Sequence, residues 1–470
     1  MNHWWFNRFL VEYGFSILST PFILLSKKKP ASTLAWLWAV FLFPYLGPLA
    51  YVLLGSEQMY RKRLRRRHDR RRQRSDRSID HGMPKLPPSD SELSALLSKI
   101  NISPAGRFDE ATLLFNAQQF YPALEKSITC ARKFIYVEFY IWRNDSYGER
   151  LLKLLTEAAR KGVRVHVIVD EVGSYFLSSS YFASLVASGG KFSWFNALNP
   201  LRNRWAFSLR NHRKLQIIDG ETAFVGGMNL GREYMGEDPT FGEWRDVQIQ
   251  LKGPVAQTLS QTFHDDWLFA TGESTVESIE QPIMEMDLRN PAHVIEEGPD
   301  STKHPLILST QAMFNVARRR VWITTGYFFP QEPLLSSLKL CAARGVDVRL
   351  LVGAKNPHPY IILGARCYYE ELLSYGVKIF EYSNGTHHAK VMLVDDAWFS
   401  VGSANLDVRS MNLNFELNVT IYSQQCARLL EEYLARDFEA SEQINLETFN
   451  SRSKWTRLSE NLCRLTGPIV

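Results

Sequence analysis

The side chains best suited to chemistry come in two copies. His212-Arg213-Lys214 is followed by Asp219, Gly226-Gly227 and Asn229, and 176 positions on His388-Ala389-Lys390 is followed by Asp395, Gly402-Ser403 and Asn405. The internal spacing, His-x-Lys-x4-Asp-x6-Gly-(Gly/Ser)-x-Asn, is identical in both. A neutral imidazole is a competent nucleophile toward phosphorus and an imidazolium a competent acid for a leaving alcohol. An ordinary pKa of ~6.5 lets one pair hold both states near neutrality. Two lysines would neutralise the non-bridging oxygens as charge builds in the transition state, the part a metal ion plays elsewhere. The pattern predicts a phosphate-transfer site that needs neither a metal nor an organic cofactor.

Strand geometry gives the spacing a physical meaning. Side chains two apart on a strand share a face, about 7 Å from each other, so His212 with Lys214, and His388 with Lys390, project together. Asp219 and Asp395 have the opposite parity and are expected to brace the strands, although they complete the repeated motif. The small residues beside each pair let backbone N–H groups approach an anion, and Asn229, Ser403 and Asn405 are expected to donate to phosphate. A carboxylate on the far ring nitrogen would fix each imidazole's tautomer. Asp246, 34 positions after His212, and Glu416, 28 after His388, are the candidates, each expected behind the histidine of its own copy. His387 reads as a flanking residue.

The elements that must hold these groups repeat as well. Lys161-Gly162-Val163-Arg164-Val165-His166-Val167-Ile168-Val169 matches Arg344-Gly345-Val346-Asp347-Val348-Arg349-Leu350-Leu351-Val352. A helical stretch (148–160 and 333–343) precedes each, with an apolar β-rich run (134–142 and 321–329) before that. The chain is therefore expected to be α/β, with two halves at 101–290 and 291–470 facing one another across a pseudo-twofold axis.

Charge and hydropathy describe the remainder. Against a net +6, residues 61–77 hold eleven Lys/Arg and two Asp, a local +9, while residues 78–470 sum to −5. Residues 32–55 carry no charge and residues 9–26 only Glu12, so 1–60 is predicted to be a membrane hairpin with spans at about 9–26 and 32–55. Residues 61–100 then form a basic juxtamembrane linker that lies against anionic lipid and keeps the bulk of the chain in the cytoplasm. A cleaved signal peptide is the competing reading of the first stretch. The stretch from Trp455 to Pro468 has apolar residues at helical spacing that fit either a membrane interface or ordinary packing on the domain. Five scattered cysteines with no C-x-x-C suggest neither a disulfide framework nor a zinc site.

At these residues the chain resembles the phospholipase D superfamily, whose hallmark is two His-x-Lys-x4-Asp copies in one active site, and within it the bacterial cardiolipin synthases. The resemblance spans nearly the full length. It includes Pro44-Tyr45-Leu46-Gly47-Pro48, Glu138-Phe139-Tyr140, Asn211-His212-Arg213-Lys214, Gly226-Gly227-Met228-Asn229-Leu230, Tyr327-Phe328 with Pro330, and Gly467-Pro468-Ile469. It implies two phospholipase D-like α/β sandwich halves behind a transmembrane hairpin in a bacterial inner membrane. It further implies transfer of a phosphatidyl group between two phosphatidylglycerol molecules through a phosphohistidine, with His212 as nucleophile and His388 as acid and base. A hydrolase, a transferase using phosphatidylethanolamine or another alcohol, and a nucleic-acid phosphodiesterase are the rival readings. The −5 charge outside the anchor region argues against nucleic acid as partner.

Overall fold

The computed structural model describes residues 3–26, 30–52, 88–100, 105–195, 209–275 and 290–467, except 302 and 357. These divide into a small N-terminal unit, up to residue 52, and a large unit holding the rest. The basic run 61–77 lies outside the described residues.

In the small unit, helix His3–Leu25 doubles back into helix Pro30–Leu42 and the short helix Leu46–Ala50. Ser16 Oγ donates to Val40 O (2.5 Å) and the Tyr51 hydroxyl to Phe22 O (3.1 Å), around a small core of Ile23, Val40 and Tyr51. The expected span 32–55 is not one helix: it breaks after Leu42, turns, and resumes at Leu46. Pro44 brings no N–H to the ladder and disfavours helix in the residue before it. A 13-residue helix is only ~20 Å long, short of a ~30 Å hydrocarbon core. Among the described residues no helix is both long and apolar enough to cross a membrane.

Among its described residues the large unit contains two sheets of one design. From the first half come β1 (Gly106–Arg107), β2 (Glu110–Phe115), β3 (Phe134–Phe139), β4 (Arg164–Asp170), β5 (Lys191–Phe195), β6 (Leu215–Ile218), β7 (Thr222–Gly226), β8 (Glu243–Arg245) and β9 (Val247–Lys252). From the second come β10 (Pro291–Glu297), β11 (Arg320–Thr324), β12 (Asp347–Gly353), β13 (Lys378–Tyr382), β14 (Gly385–His387), β15 (Val391–Val394), β16 (Trp398–Gly402), β17 (Glu416–Tyr422) and β18 (Ser441–Gln443). One sheet runs β2-β9-β7-β6-β3-β4-β5; the other runs β10-β17-β16-β15-β11-β12-β13, with β1 and β18 added at its edges. In each, the three strands at one end are parallel and the others antiparallel.

The parallel pairs need a crossover, and the sequence supplies a helix for each. In Ser146–Arg160, Asp145 caps the N-terminus by accepting from the Tyr147 and Gly148 amides, and Leu151, Leu152, Leu155, Ala158 and Ala159 form the buried stripe. Gly162, at φ 87°, ends the turn; Gly345, at φ 86°, does the same after helix Glu332–Ala343. The expected linker 61–100 closes with helix Pro88–Ile100, whose Leu93 and Leu97 are fully buried in the core of the second half. Likewise β1, from the first half by sequence, pairs with β10 in the second sheet.

Candidate active site

Each His-x-Lys pair, expected on a strand, lies in the segment immediately before the strand at the middle of its sheet, β6 or β15, which places it in the interior. The residue ahead of each histidine pairs with the other half. Asn211 bridges in parallel to Phe415, and β14 pairs in parallel with β8 so that His387 faces Arg245. Accordingly His212 N donates to Phe415 O (2.9 Å) and His388 N to Arg245 O (2.8 Å).

Phe415 and Arg245 immediately precede the two candidate carboxylates, so this backbone pairing crosses them over. His212 Nδ1 lies 3.0 and 3.1 Å from the Glu416 oxygens, and His388 Nδ1 lies 3.0 Å from Asp246 Oδ2. The expectation that each acid serves the histidine of its own copy is therefore corrected: each serves the other. An Nδ1–H donating to a carboxylate leaves Nε2 with its lone pair for substrate. The Lys390 ammonium also lies 2.8 Å from His388 Nδ1 and 2.5 Å from His388 O, and Lys214 Nζ donates to His212 O (2.6 Å).

Burial pushes the His212 imidazole down to about 4 against the pull of Glu416, with Lys214 and Lys390 pushing the same way. Burial, then Lys390, takes His388 down to about 3 in spite of Asp246. Burial lowers Lys214 to about 7 and Lys390 to about 8. Each histidine feels both lysines, so the four groups form one electrostatic site. Glu416 stays below its usual range: burial would raise it, but His212, Lys214 and Ser403 outweigh that. Without a bound anion the imidazoles are neutral, and a phosphodiester anion among the lysines would favour their protonation.

Three expected phosphate contacts are reassigned or narrowed. Ser403 Oγ donates to Glu416 Oε2 (2.5 Å) and accepts from Leu417 N (3.0 Å), so it braces the carboxylate. Gly227 stands at the matching position, and a Cβ there would collide with the Asp246 carboxylate. The serine fits beside the longer glutamate, the glycine beside the aspartate. Asn229 Oδ1 accepts from Ile141 N (3.0 Å) and its amide donates to the Tyr234 hydroxyl (3.1 Å), so it serves the scaffold. Asn405 Oδ1 is buried without a protein partner among the described residues.

Asp219 and Asp395 lie five residues past the lysines, on left-handed backbone at φ 56° and 51°. Asp219 accepts from the amides of Arg132, Lys133 and Phe134 at 2.6–2.9 Å, and Asp395 from those of Arg318, Arg319 and Arg320 at 2.8–3.2 Å. They tie down the starts of β3 and β11, far from the imidazoles. The spacing missed Tyr140, whose ring sits edge-on 5.0 Å from His212, and Trp244, 5.2 Å from His388. It also missed the buried Asp407, which burial raises to about 7. Among the described residues no cluster of His, Cys, Asp and Glu is arranged to hold a metal ion.

Comparison with known proteins agrees with this geometry. A family profile described as "Cardiolipin synthase, PLD-like domain" matches residues 124–267 and 311–438, and one described as "Phospholipase_D-nuclease N-terminal" matches 15–56. The chain is 34% identical to a cardiolipin synthase of Geobacillus kaustophilus over 95% of its own length and 91% of that protein's. It is 34% identical to cardiolipin synthase 2 of Bacillus anthracis, with 95% and 88% covered. The crystal structure of phosphatidylserine synthase from Haemophilus influenzae shares the fold at a TM-score of 0.61 and 15% identity, covering 81% of this chain and 99% of that one. With two crossed histidine–carboxylate pairs in one buried site and relatives matching from end to end, the chain belongs to the cardiolipin synthase family of phospholipase D-like proteins.

Proposed function

We propose that the chain is a cardiolipin synthase, moving the phosphatidyl group of one phosphatidylglycerol onto the headgroup hydroxyl of a second and releasing glycerol. The observation that carries this is the crossed pairing: two buried imidazoles, each held at Nδ1 by a carboxylate, leave two Nε2 atoms for one phosphate flanked by Lys214 and Lys390. His212 Nε2 attacks phosphorus; the P–O bond to glycerol breaks and the oxygen takes a proton from His388. The acceptor hydroxyl then returns a proton to His388 as its oxygen attacks phosphorus and the bond to His212 breaks. Lys214 and Lys390 carry the phosphoryl charge, and Glu416 and Asp246 fix the tautomers. The matching strand order of the two sheets supports a pseudo-twofold relation between the halves.

The enzyme works at a bacterial inner membrane, with its catalytic part in the cytoplasm. In the N-terminal hairpin Phe15, Leu18, Phe22, Leu25, Trp38 and Phe43 are all exposed, as suits a hairpin embedded in lipid. The C-terminal helix Lys454–Arg464 turns its acid inward: Glu460 is 2% exposed and pairs with Arg452, while Trp455 is 80% exposed and Leu458, Leu462 and Leu465 continue its stripe outward. Lys454 borders that stripe, an arrangement suited to an anionic bilayer surface.

The test is labelled phosphatidylglycerol in mixed micelles with a chelator present. Cardiolipin with glycerol supports the synthase; phosphatidic acid as the dominant product overturns it in favour of a hydrolase.

A further inference from the structure

The two halves differ at one corner. Strand register sets the correspondence: Ile135 faces Ile218 where Val321 faces Val394, and Phe134 faces Arg164 where Arg320 faces Asp347. Tyr140 therefore corresponds to Gly326, and Asp170 to Gly353. The bridges Trp142–Leu230 and Phe328–Leu406 keep the same register. In the first half the corner is filled. The Tyr140 ring abuts His212, and the buried Asp170 accepts from Arg210 (3.2 Å) and from Asn211 N (3.0 Å).

In the second half the two glycines leave a cleft. It is narrow, with about 20 Å³ enclosed and the rest opening to solvent, and reaches from Lys355 and Asn356 past Gly353 and Gly326 to His388, with Phe328 and Ile361 among its apolar walls. Any Cβ at Gly326 would press on the His388 ring, 2.8 Å from Cδ2. The opening is thus on the side of one histidine.

We propose that this cleft is the alcohol site. It holds the glycerol that leaves the donor and then the glycerol headgroup of the acceptor, with Lys355 pairing to the acceptor lipid's own phosphate. The inference rests on the reading above and adds where the alcohol binds. An in-line displacement puts entering and leaving oxygens on one side of phosphorus and the histidyl nitrogen on the other, so the alcohol belongs beside the acid–base group. The attacking hydroxyl gives its proton to His388 Nε2 as its P–O bond forms and the P–N bond to His212 breaks. Water lacks the carbon chain that would fill the walls and the phosphate that would meet Lys355, so the cleft favours transfer over hydrolysis.

The readout is the ratio of cardiolipin to phosphatidic acid formed from labelled phosphatidylglycerol, which does not depend on how much enzyme is folded. Lys355→Met is expected to lower it about tenfold, the scale of one lost charge contact. It should leave the ratio of phosphatidylethanol to phosphatidic acid with added ethanol unchanged, because ethanol carries no phosphate. Gly353→Val is expected to lower both ratios. A Cβ at Gly353 meets nothing nearer than Lys355 O at 3.4 Å, so the side chain fits while filling the cleft. Ratios unchanged in both variants overturn the alcohol site. A wild-type protein that forms phosphatidic acid alone overturns the synthase reading instead. The cleft is then judged on ethanol, where an unchanged ratio in Gly353→Val overturns it.

Discussion

Glu416 Oε1 lies 3.0 Å from His212 Nδ1 across 204 residues of chain and from the opposite half of the molecule. With Asp246 and His388 related in the same way, neither half holds a complete histidine–carboxylate pair. The crossing follows from the backbone, because the residue ahead of each histidine pairs with the residue ahead of the other half's acid.

Removing the charge from either acid should therefore act on the histidine of the opposite half. Glu416→Gln keeps the shape but not the carboxylate, and a fall in kcat on the order of 10⁴-fold is expected, by analogy with other triads that lose the orienting acid. Asp246→Asn should behave alike. Rapid-quench trapping of the acid-labile phosphoenzyme separates them: Glu416→Gln slows its appearance, and Asp246→Asn its discharge to a weakly acidic alcohol. If both leave each step unchanged, the acids do not orient the rings. If His212→Ala still accumulated that label while His388→Ala did not, the order of the histidines would be reversed.

Gly227 and Ser403 are not interchangeable despite their matching positions. Gly227→Ser forces a side chain into the Asp246 carboxylate and should cut activity at least as much as Asp246→Asn does. Ser403→Ala removes one buried hydrogen bond to Glu416, worth about 1–2 kcal/mol, and should keep most activity while lowering the melting temperature. Equal losses in the two variants would contradict this asymmetry.

Protonation gives a third check. The folded values of His212 and His388, about 4 and about 3, lie below the unfolded value of ~6.5. Between these limits the unfolded chain binds more protons, so stability is full above pH ~6.5 and is lost as pH falls toward about 4 for His212 and about 3 for His388. Replacing both histidines with glutamine should flatten the melting temperature across that window. Dimethyl phosphate, which has no proton of its own to lose near neutrality, should bind with net proton uptake at pH 7, because the anion favours charged Lys214 and His388. Calorimetry in buffers of different ionisation enthalpy measures it, and zero uptake would count against a shared phosphate site.

Asp219→Ala should cost stability rather than chemistry. Three backbone amides lose their acceptor at the start of β3, about 2–3 kcal/mol, while kcat per folded molecule holds. Asp395→Ala should repeat this at β11. A normal melt with lost turnover would return these aspartates to the chemistry.

The outward stripe of the C-terminal helix can be tested with Trp455→Ser combined with Leu462→Ser. In micelles where phosphatidylglycerol is diluted, the pair should raise the surface KM several-fold and leave kcat unchanged. An unchanged KM would mean that the stripe does not touch lipid.

Much of this enzyme could be read from spacing, because a strand alternates faces every residue and a helix returns every 3.6. That period put His212 beside Lys214 and turned Asp219 away. It also recovered both β-α-β units with their crossover helices, while the need of each imidazole for a carboxylate, not the period, marks Asp246 and Glu416 as the acids to watch. What spacing carries no information about is which distant segments lie side by side. The crossing of the two acids depends on pairings between residues far apart in the chain, Asn211 with Phe415 and Arg245 with His387. So does the seating of Leu93 and Leu97 in the core of the second half. The cleft by His388 arises where Gly326 and Gly353 meet in space after lying 27 positions apart in the chain, a coincidence produced by the parallel pairing of β11 with β12.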